Sequence, residues 1–124
     1  MTEFHSSSPI YSQLAERIKK EILSGELKPG IKLPSVREMG IQVNVNPNTV
    51  QRTYHELERL KIVEMRRGQG TFVTEDQSVL THMREQLKQE EISEFVSGMH
   101  ALGYTDKEIE AGLQVFLINN KGDE

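Results

Sequence analysis

The sequence predicts a mainly α-helical fold with one small β-hairpin, on three observations. Apolar residues recur at every third or fourth position through several stretches. Two Ser/Thr-x-x-Glu boxes, at Ser35 and Thr105, mark helix starts. Only Ile62 to Val73 carries β-prone runs about a glycine-containing connection, the pattern of a hairpin.

Taken in order, residues 1–7 are polar and without period, a loose end. Ser8 is expected to cap a first helix, with Pro9 in its first turn, where a missing N–H costs nothing. Ile10, Leu14, Ile18 and Ile22 follow at a spacing of four, with Tyr11 and Ala15 beside them, and Gly25 supplies the stop. Leu27-Lys28-Pro29-Gly30 reads as a turn, because proline fixes one backbone angle and glycine permits the reversed one. A short second helix opens at the box Ser35-Val36-Arg37-Glu38 and ends near Val43. After a tight turn around Asn44 and Val45, a third helix starts at Asn46 with Pro47 in its first turn. It runs to about Leu60 with Val50, Tyr54 and Leu57 on one face. A short helix, a tight turn and a longer helix make a helix-turn-helix, and the hairpin of residues 62–73 stands where a wing would.

From about Ser78 the helical pattern returns, with Leu80, Met83, Leu87, Ile92, Phe95, Met99 and Leu102, until Gly103. The step from Leu87 to Ile92 breaks the spacing and predicts a shifted stripe or a bend. Thr105-Asp106-Lys107-Glu108 opens a last helix with Ile109, Leu113, Phe116 and Leu117 on one face. The predicted organisation is a winged helix-turn-helix over residues 1–75 and a two-helix C-terminal region over 76–124. Neither tail helix can bury its stripe alone. Leu80, Met83, Leu87, Phe95, Met99, Leu113, Phe116 and Leu117 are therefore the expected dimer face, although ordinary packing within one chain accounts for part of the stripe.

Charge divides the chain at the same place. The 124 residues carry a net charge of -4. Residues 1–75 hold 11 Lys or Arg against 9 Asp or Glu, a net of +2, whereas residues 76–124 hold 4 against 10, a net of -6. The head can approach a polyanion and the tail would be repelled by one. No apolar run reaches the roughly 18 residues of a membrane span, and the N-terminus lacks a signal-peptide pattern. A cytoplasmic protein is expected, and the absence of cysteine fits a reducing compartment.

On the wheel of the third helix, Asn48, Gln51, Arg52 and His55 lie opposite the apolar face. The N-terminal part of such a helix enters the major groove. Asn and Gln amides can pair with adenine and Arg with guanine, which makes Asn48, Gln51 and Arg52 the expected base readers, with Asn46 and Thr49 near the backbone. The helix starts at Ser35 and Asn46 offer free N–H groups to phosphate, with Arg37 behind the first. In the wing, Arg67-Gly68-Gln69-Gly70 joins a cation and an amide to two residues without bulk, suited to a phosphate or the minor groove. Each feature alone also occurs at ordinary caps, turns and solvated faces; their order and spacing carry the argument. The histidines His5, His55, His82 and His100 include no i, i+4 pair, and neither a metal nor another cofactor is expected. No nucleophile with a paired base and no phosphate loop points to an enzyme.

Taken together, Pro9-Ile10-Tyr11 through Gly25, Leu27-Lys28-Pro29-Gly30, Leu33-Pro34-Ser35-Val36-Arg37-Glu38, Val45-Asn46-Pro47-Asn48-Thr49-Val50, Tyr54, Glu56-Leu57-Glu58 and Gly68-Gln69-Gly70-Thr71-Phe72-Val73 resemble the GntR-family DNA-binding domain over residues 9 to 74. Many members carry Arg in place of Pro47 and of Gln51, and Asn46-Pro47-Asn48-Thr49-Val50 is similar to the YtrA-type branch. The resemblance implies phosphate contacts from Ser35 and Arg37, base reading from the start of the third helix, and a role for the wing glycines. Lys61 stands where glycine is usual. The resemblance also implies that the two tail helices serve dimerisation, and that the targets are a transporter operon and the regulator's own gene.

The expected function is a homodimeric repressor on a two-fold symmetric operator in double-stranded DNA, with half-sites about one helical turn apart. A small-molecule effector would act by changing the spacing of the two reading heads. The alternative is a winged-helix module that contacts a partner protein and not DNA, with the acidic tail as its docking surface.

Overall fold

The computed structural model describes Phe4 and residues 7–121 of the chain. Its elements run α1 (Ile10–Ser24), α2 (Val36–Val43), α3 (Pro47–Arg59), β1 (Val63–Arg66), β2 (Gly70–Val73), α4 (Gln77–Ala101) and α5 (Asp106–Asn119). The fold class is the predicted one: five helices and an antiparallel hairpin. Of the four histidines, His5 lies outside the described residues.

α1 buries Leu14, Ala15, Ile18 and Ile22, the spacing-of-four stripe. It starts one residue later than expected. Pro9 holds the cap position with ψ 145°, an extended angle that keeps it out of the helix. Ser8 makes no side-chain cap and instead gives its carbonyl to Gln13 Nε2 at 2.7 Å. Gly25 ends α1 at φ +91°, where a side chain would be strained. In the turn that follows, Ile31 N–H donates to the Lys28 carbonyl, with Pro29 and Gly30 (φ +83°) at the centre.

The hairpin pairs Val63 with Val73 and Arg66 with Gly70. The sequence hides a third partner. Leu33 N–H donates to Thr71 O, Val73 N–H to Ile31 O and Gly30 N–H to Val73 O, so residues 30–33 run beside β2. A bridge from Lys32 to Phe72 completes this edge. Four residues are too few to show a strand period, which is why the pattern gave no signal there.

Both helix boxes form. Ser35 Oγ accepts from Glu38 N–H while Glu38 Oε1 accepts from Ser35 N–H, and Thr105 and Glu108 make the same exchange at α5. Each such cap contributes about 1 kcal/mol. Asn46 Oδ1 caps α3 by accepting from Asn48 N–H, with Pro47 in the first turn. α3 ends with Lys61 at φ +65°, the conformation that glycine adopts without strain. Asp76, which the sequence reading passed over, caps α4 through Ser78 N–H and Oγ.

The core of the first unit is centred on Leu14, Ile18, Leu33, Val50, Leu57 and Val73. Each such side chain contributes about 1.5–3 kcal/mol by leaving water. Two polar groups are built into it. Thr53 shares its hydroxyl proton between the carbonyls of Thr49 and Tyr11, and Tyr54 Oη donates to Pro34 O at 2.8 Å. Both tie α3 to the segments around it.

The chain forms two compact units, Met1–Arg84 and Glu85–Glu124. The division falls inside α4, a single 25-residue helix, later than the break in charge at residue 75. A five-residue step turns a helical stripe by about 140°. Leu87 is accordingly buried while Ile92 and Phe95 are exposed. No helix among the described residues is long and apolar enough to cross a membrane.

Candidate nucleic-acid interface

α3 is held from three sides, and this fixes its outer face. Val50, Thr53, Tyr54 and Leu57 are buried, its cap is closed by Asn46, and it packs on α1, α2 and β1. Asn48, Gln51, Arg52 and His55 are all exposed on the opposite side, as the wheel predicts. Asn46 spends its side-chain oxygen on the cap, which leaves its amide NH2 for a ligand. Thr49 is half-buried, with its carbonyl engaged by Thr53.

The turn between α2 and α3 sets their angle. Asn44 adopts φ +57° and both it and Val45 donate to the Gly40 carbonyl. A Cβ on Gly40 would stand 2.7 Å from the Val45 carbonyl oxygen, so this approach requires glycine. At the start of α2, Ser35 and Arg37 are exposed. Ser35 Oγ is committed as an acceptor, but its proton stays free to donate. Glu38 complicates an anion site here. The hydrogen bonds from Ser35, backbone first, hold its carboxyl below the ordinary carboxylate range, with help from the charge of Lys32. A phosphate at this terminus would meet a carboxylate, with the cations of Arg37 and Lys32 to offset it.

Four cations of the first unit are ion-paired within it. Arg17 pairs with Glu21, Lys19 with Glu16, Arg59 with Glu56 and Arg66 with Glu64. Arg59 forks both carboxylate oxygens of Glu56, at 3.1 and 2.6 Å, and this bond holds the Glu56 carboxyl below its usual range. Arg37, Arg52 and Arg67 have no ion pair among the described residues. They stand on α2, α3 and the turn between β1 and β2.

Arg52 lies over the Tyr11 ring, 3.8 Å from its centroid. In the wing, Arg66 stacks on Phe72 at 4.2 Å, which stiffens the hairpin behind the exposed Arg67, Gly68 and Gln69. Gly68 takes φ +75° in the turn, where Gln69 N–H donates to Arg66 O. Gly70, half-buried at φ +123°, has the Lys32 chain against it: a Cβ there would meet Lys32 Cε at 2.6 Å. Lys32 and Tyr11 are the residues that sequence reasoning missed. Lys32 reaches the wing only through the edge pairing of residues 30–33, and Tyr11 reaches Arg52 only through the packing of α1 on α3.

Of the expected dimer face, Met83 and Leu87 are buried within the chain and Leu80 and Met99 half-buried. Phe95, Leu113, Phe116 and Leu117 are exposed, as are Val115 and Ile118 on α5. Among the described residues no cluster of three His, Asp or Glu could hold a metal ion.

Residues 10–73 match the family described as bacterial regulatory proteins, gntR family. The chain is 51% identical to the uncharacterized HTH-type transcriptional regulator YhcF of Bacillus subtilis, over 92% of this chain and 94% of that one. With the HTH-type transcriptional repressor YtrA of the same organism it shares 47% identity, over 68% and 69% of the two chains. Among solved structures, a GntR family transcriptional regulator from Listeria monocytogenes superposes with a TM-score of 0.81 at 37% identity, covering 90% of this chain and 97% of that one. The DNA-binding domain of AraR, solved in complex with operator ORX1, matches with a TM-score of 0.53 at 27% identity, over 60% and 93%. A winged helix-turn-helix that carries the gntR pattern over residues 10–73, in a chain similar to YhcF and YtrA well beyond that domain, makes the chain a DNA-binding transcription regulator, not an enzyme: it belongs to the gntR family, in the YtrA-type branch.

Proposed function

We propose that the chain is a sequence-specific repressor that binds a two-fold symmetric operator as a homodimer. The observation that carries this reading is the outer face of α3. It presents Asn48, Gln51 and Arg52 to solvent on a fixed scaffold, flanked by the unpaired Arg37 and Arg67. Asn48, Gln51 and Arg52 read base edges in the major groove. Ser35, Arg37, Asn46 and Thr49 contact the backbone beside it, and Arg67, Gly68, Gln69 and Gly70 bring the wing against the neighbouring phosphates. The AraR domain, solved in complex with an operator, and YtrA, a transcriptional repressor, support the same reading.

The second subunit is recruited through the C-terminal helices. Phe95, Leu113, Phe116 and Leu117 leave apolar surface in water that a second copy would cover, and two-fold pairing repeats the reading head. A transporter operon and the regulator's own gene are the proposed targets, and an effector would act by changing the spacing of the two heads.

Titration of the full chain against duplex DNA at several salt concentrations tests the reading. Release of counterions from several phosphates gives a steep fall of affinity with salt and a preference among sequences selected from a random library. Flat salt dependence, or no duplex selected, refutes it in favour of a protein-interaction module.

A further inference from the structure

Arg52 is a long, exposed side chain that would sample several rotamers if nothing held it, and a residue that reads one base must be aimed. Its guanidinium carbon lies 3.8 Å from the centroid of the Tyr11 ring on α1. Tyr11 is itself fixed against α3, because its carbonyl accepts from the buried Thr53 hydroxyl, on the residue next to Arg52. Platform and guanidinium are therefore held in register by the same helix pair. Stacking occupies the face of the guanidinium and leaves its N–H donors, which point outward in the plane, free for a base edge. Glu56, on the next turn of α3, attracts Arg52 through its charge but commits both its oxygens to Arg59, so Arg52 forms no ion pair among the described residues.

We propose that Tyr11 is a positioning residue for sequence readout, its ring fixing the plane of Arg52 and thereby the base pair that Arg52 discriminates. This rests on the assignment of the outer face of α3 to DNA. Tyr11 itself lies outside the helix-turn-helix and touches the reaction of protein with DNA only through Arg52.

The test uses the full chain, a duplex selected by the wild type from a random library, and every single-base variant of that duplex. Dissociation constants are measured for wild type, Tyr11→Phe, Tyr11→Leu, Arg52→Ala and the Tyr11→Leu/Arg52→Ala double variant. Tyr11→Leu should lower discrimination about two- to fivefold, the range expected from loss of an exposed cation–π contact. The loss should fall at the base pair whose preference Arg52→Ala abolishes, with other positions and the salt slope unchanged. Tyr11→Phe keeps the ring and should behave as wild type, and the double variant should be no worse than Arg52→Ala. In the free protein, the Arg52 Nε proton should show a ring-current shift in wild type and Tyr11→Phe that Tyr11→Leu loses. The proposal is overturned if Tyr11→Leu weakens all duplexes alike, sharpens discrimination, or adds its full effect to Arg52→Ala. A wild type that selects no duplex overturns the DNA reading and this proposal with it, whereas selection by wild type with unaltered discrimination in Tyr11→Leu overturns this proposal alone.

Discussion

Replacing Gly40 with alanine should destabilise the first unit although alanine is the better helix former. Gly40 is buried in α2, and the exchange would gain about 1 kcal/mol from backbone propensity alone. Against this, the new Cβ would stand 2.7 Å from the Val45 carbonyl oxygen and 3.6 Å from Pro47 Cγ. The obstacle is backbone in a turn fixed at both ends, by the bond from Val45 N–H to Gly40 O and by the Asn46 cap on α3. It cannot swing aside as a side chain would. Overpacking of this kind costs about 1–3 kcal/mol; backbone that cannot move places it in the upper part of that range, about 2–3 kcal/mol, which leaves a loss of about 1–2 kcal/mol once propensity is credited. In a domain of this size that is roughly 4–8 °C of melting temperature per kcal/mol. Thermal and urea unfolding followed by circular dichroism give the stability. DNA affinity should fall as well, because relief of the contact changes the angle of α3 to α2. Gly98, also helical, provides the contrast. A Cβ there meets nothing within 4 Å, so Gly98→Ala should stabilise by up to about 1 kcal/mol. A Gly40→Ala protein as stable as wild type would refute the close-approach reasoning.

Arg52→Ala should relax preference at one base pair by about 1–3 kcal/mol, while Arg37→Ala should weaken all sequences alike and reduce the salt slope by about one; equal behaviour of the two in binding titrations would undo the division of roles. Tyr54→Phe should cost about 1 kcal/mol at neutral pH by leaving the Pro34 carbonyl without its donor. Burial, with the charge of Glu38 second, pushes the Tyr54 phenol well above its ordinary value of 10.0. The folded state keeps this proton when the unfolded chain has lost it. Stability should therefore be full below pH 10 and fall as pH rises beyond it, less steeply in Tyr54→Phe; parallel profiles would contradict this. Phe116→Glu with Leu117→Glu should shift the chain to monomer in sedimentation experiments without loss of helix content, and an unchanged mass would remove these residues from the dimer face.

Much of the fold was legible because its signals are local. A capping box needs only a hydroxyl and a carboxylate three residues apart, so Ser35 and Thr105 marked their helices without any knowledge of what packs on them. The α3 wheel is equally local, and it separated Val50, Tyr54 and Leu57 from Asn48, Gln51 and Arg52. Ser8 misled because a proline can stand either inside a first turn or at its cap, and only the ψ of Pro9 distinguishes them. Residues 30–33 gave no period, so neither the third edge of the wing nor the approach of Lys32 to Gly70 could be read.

By itself, then, the sequence determined the order of elements, the wing and the reading face of α3, since periodicity, caps and turns act over a few residues. Tertiary structure alone decided which polar groups are spent inside the chain and which remain exposed. The Thr53 hydroxyl is spent on the Tyr11 carbonyl and the Tyr54 phenol on the Pro34 carbonyl, whereas Arg52 stacks on the Tyr11 ring and stays exposed. It likewise divided the C-terminal stripe into Met83 and Leu87, which the chain buries, and Phe95, Leu113, Phe116 and Leu117, which it leaves in water. The physical reason is the same in both cases. Such choices depend on where segments far apart in sequence meet, and no local period encodes the meeting.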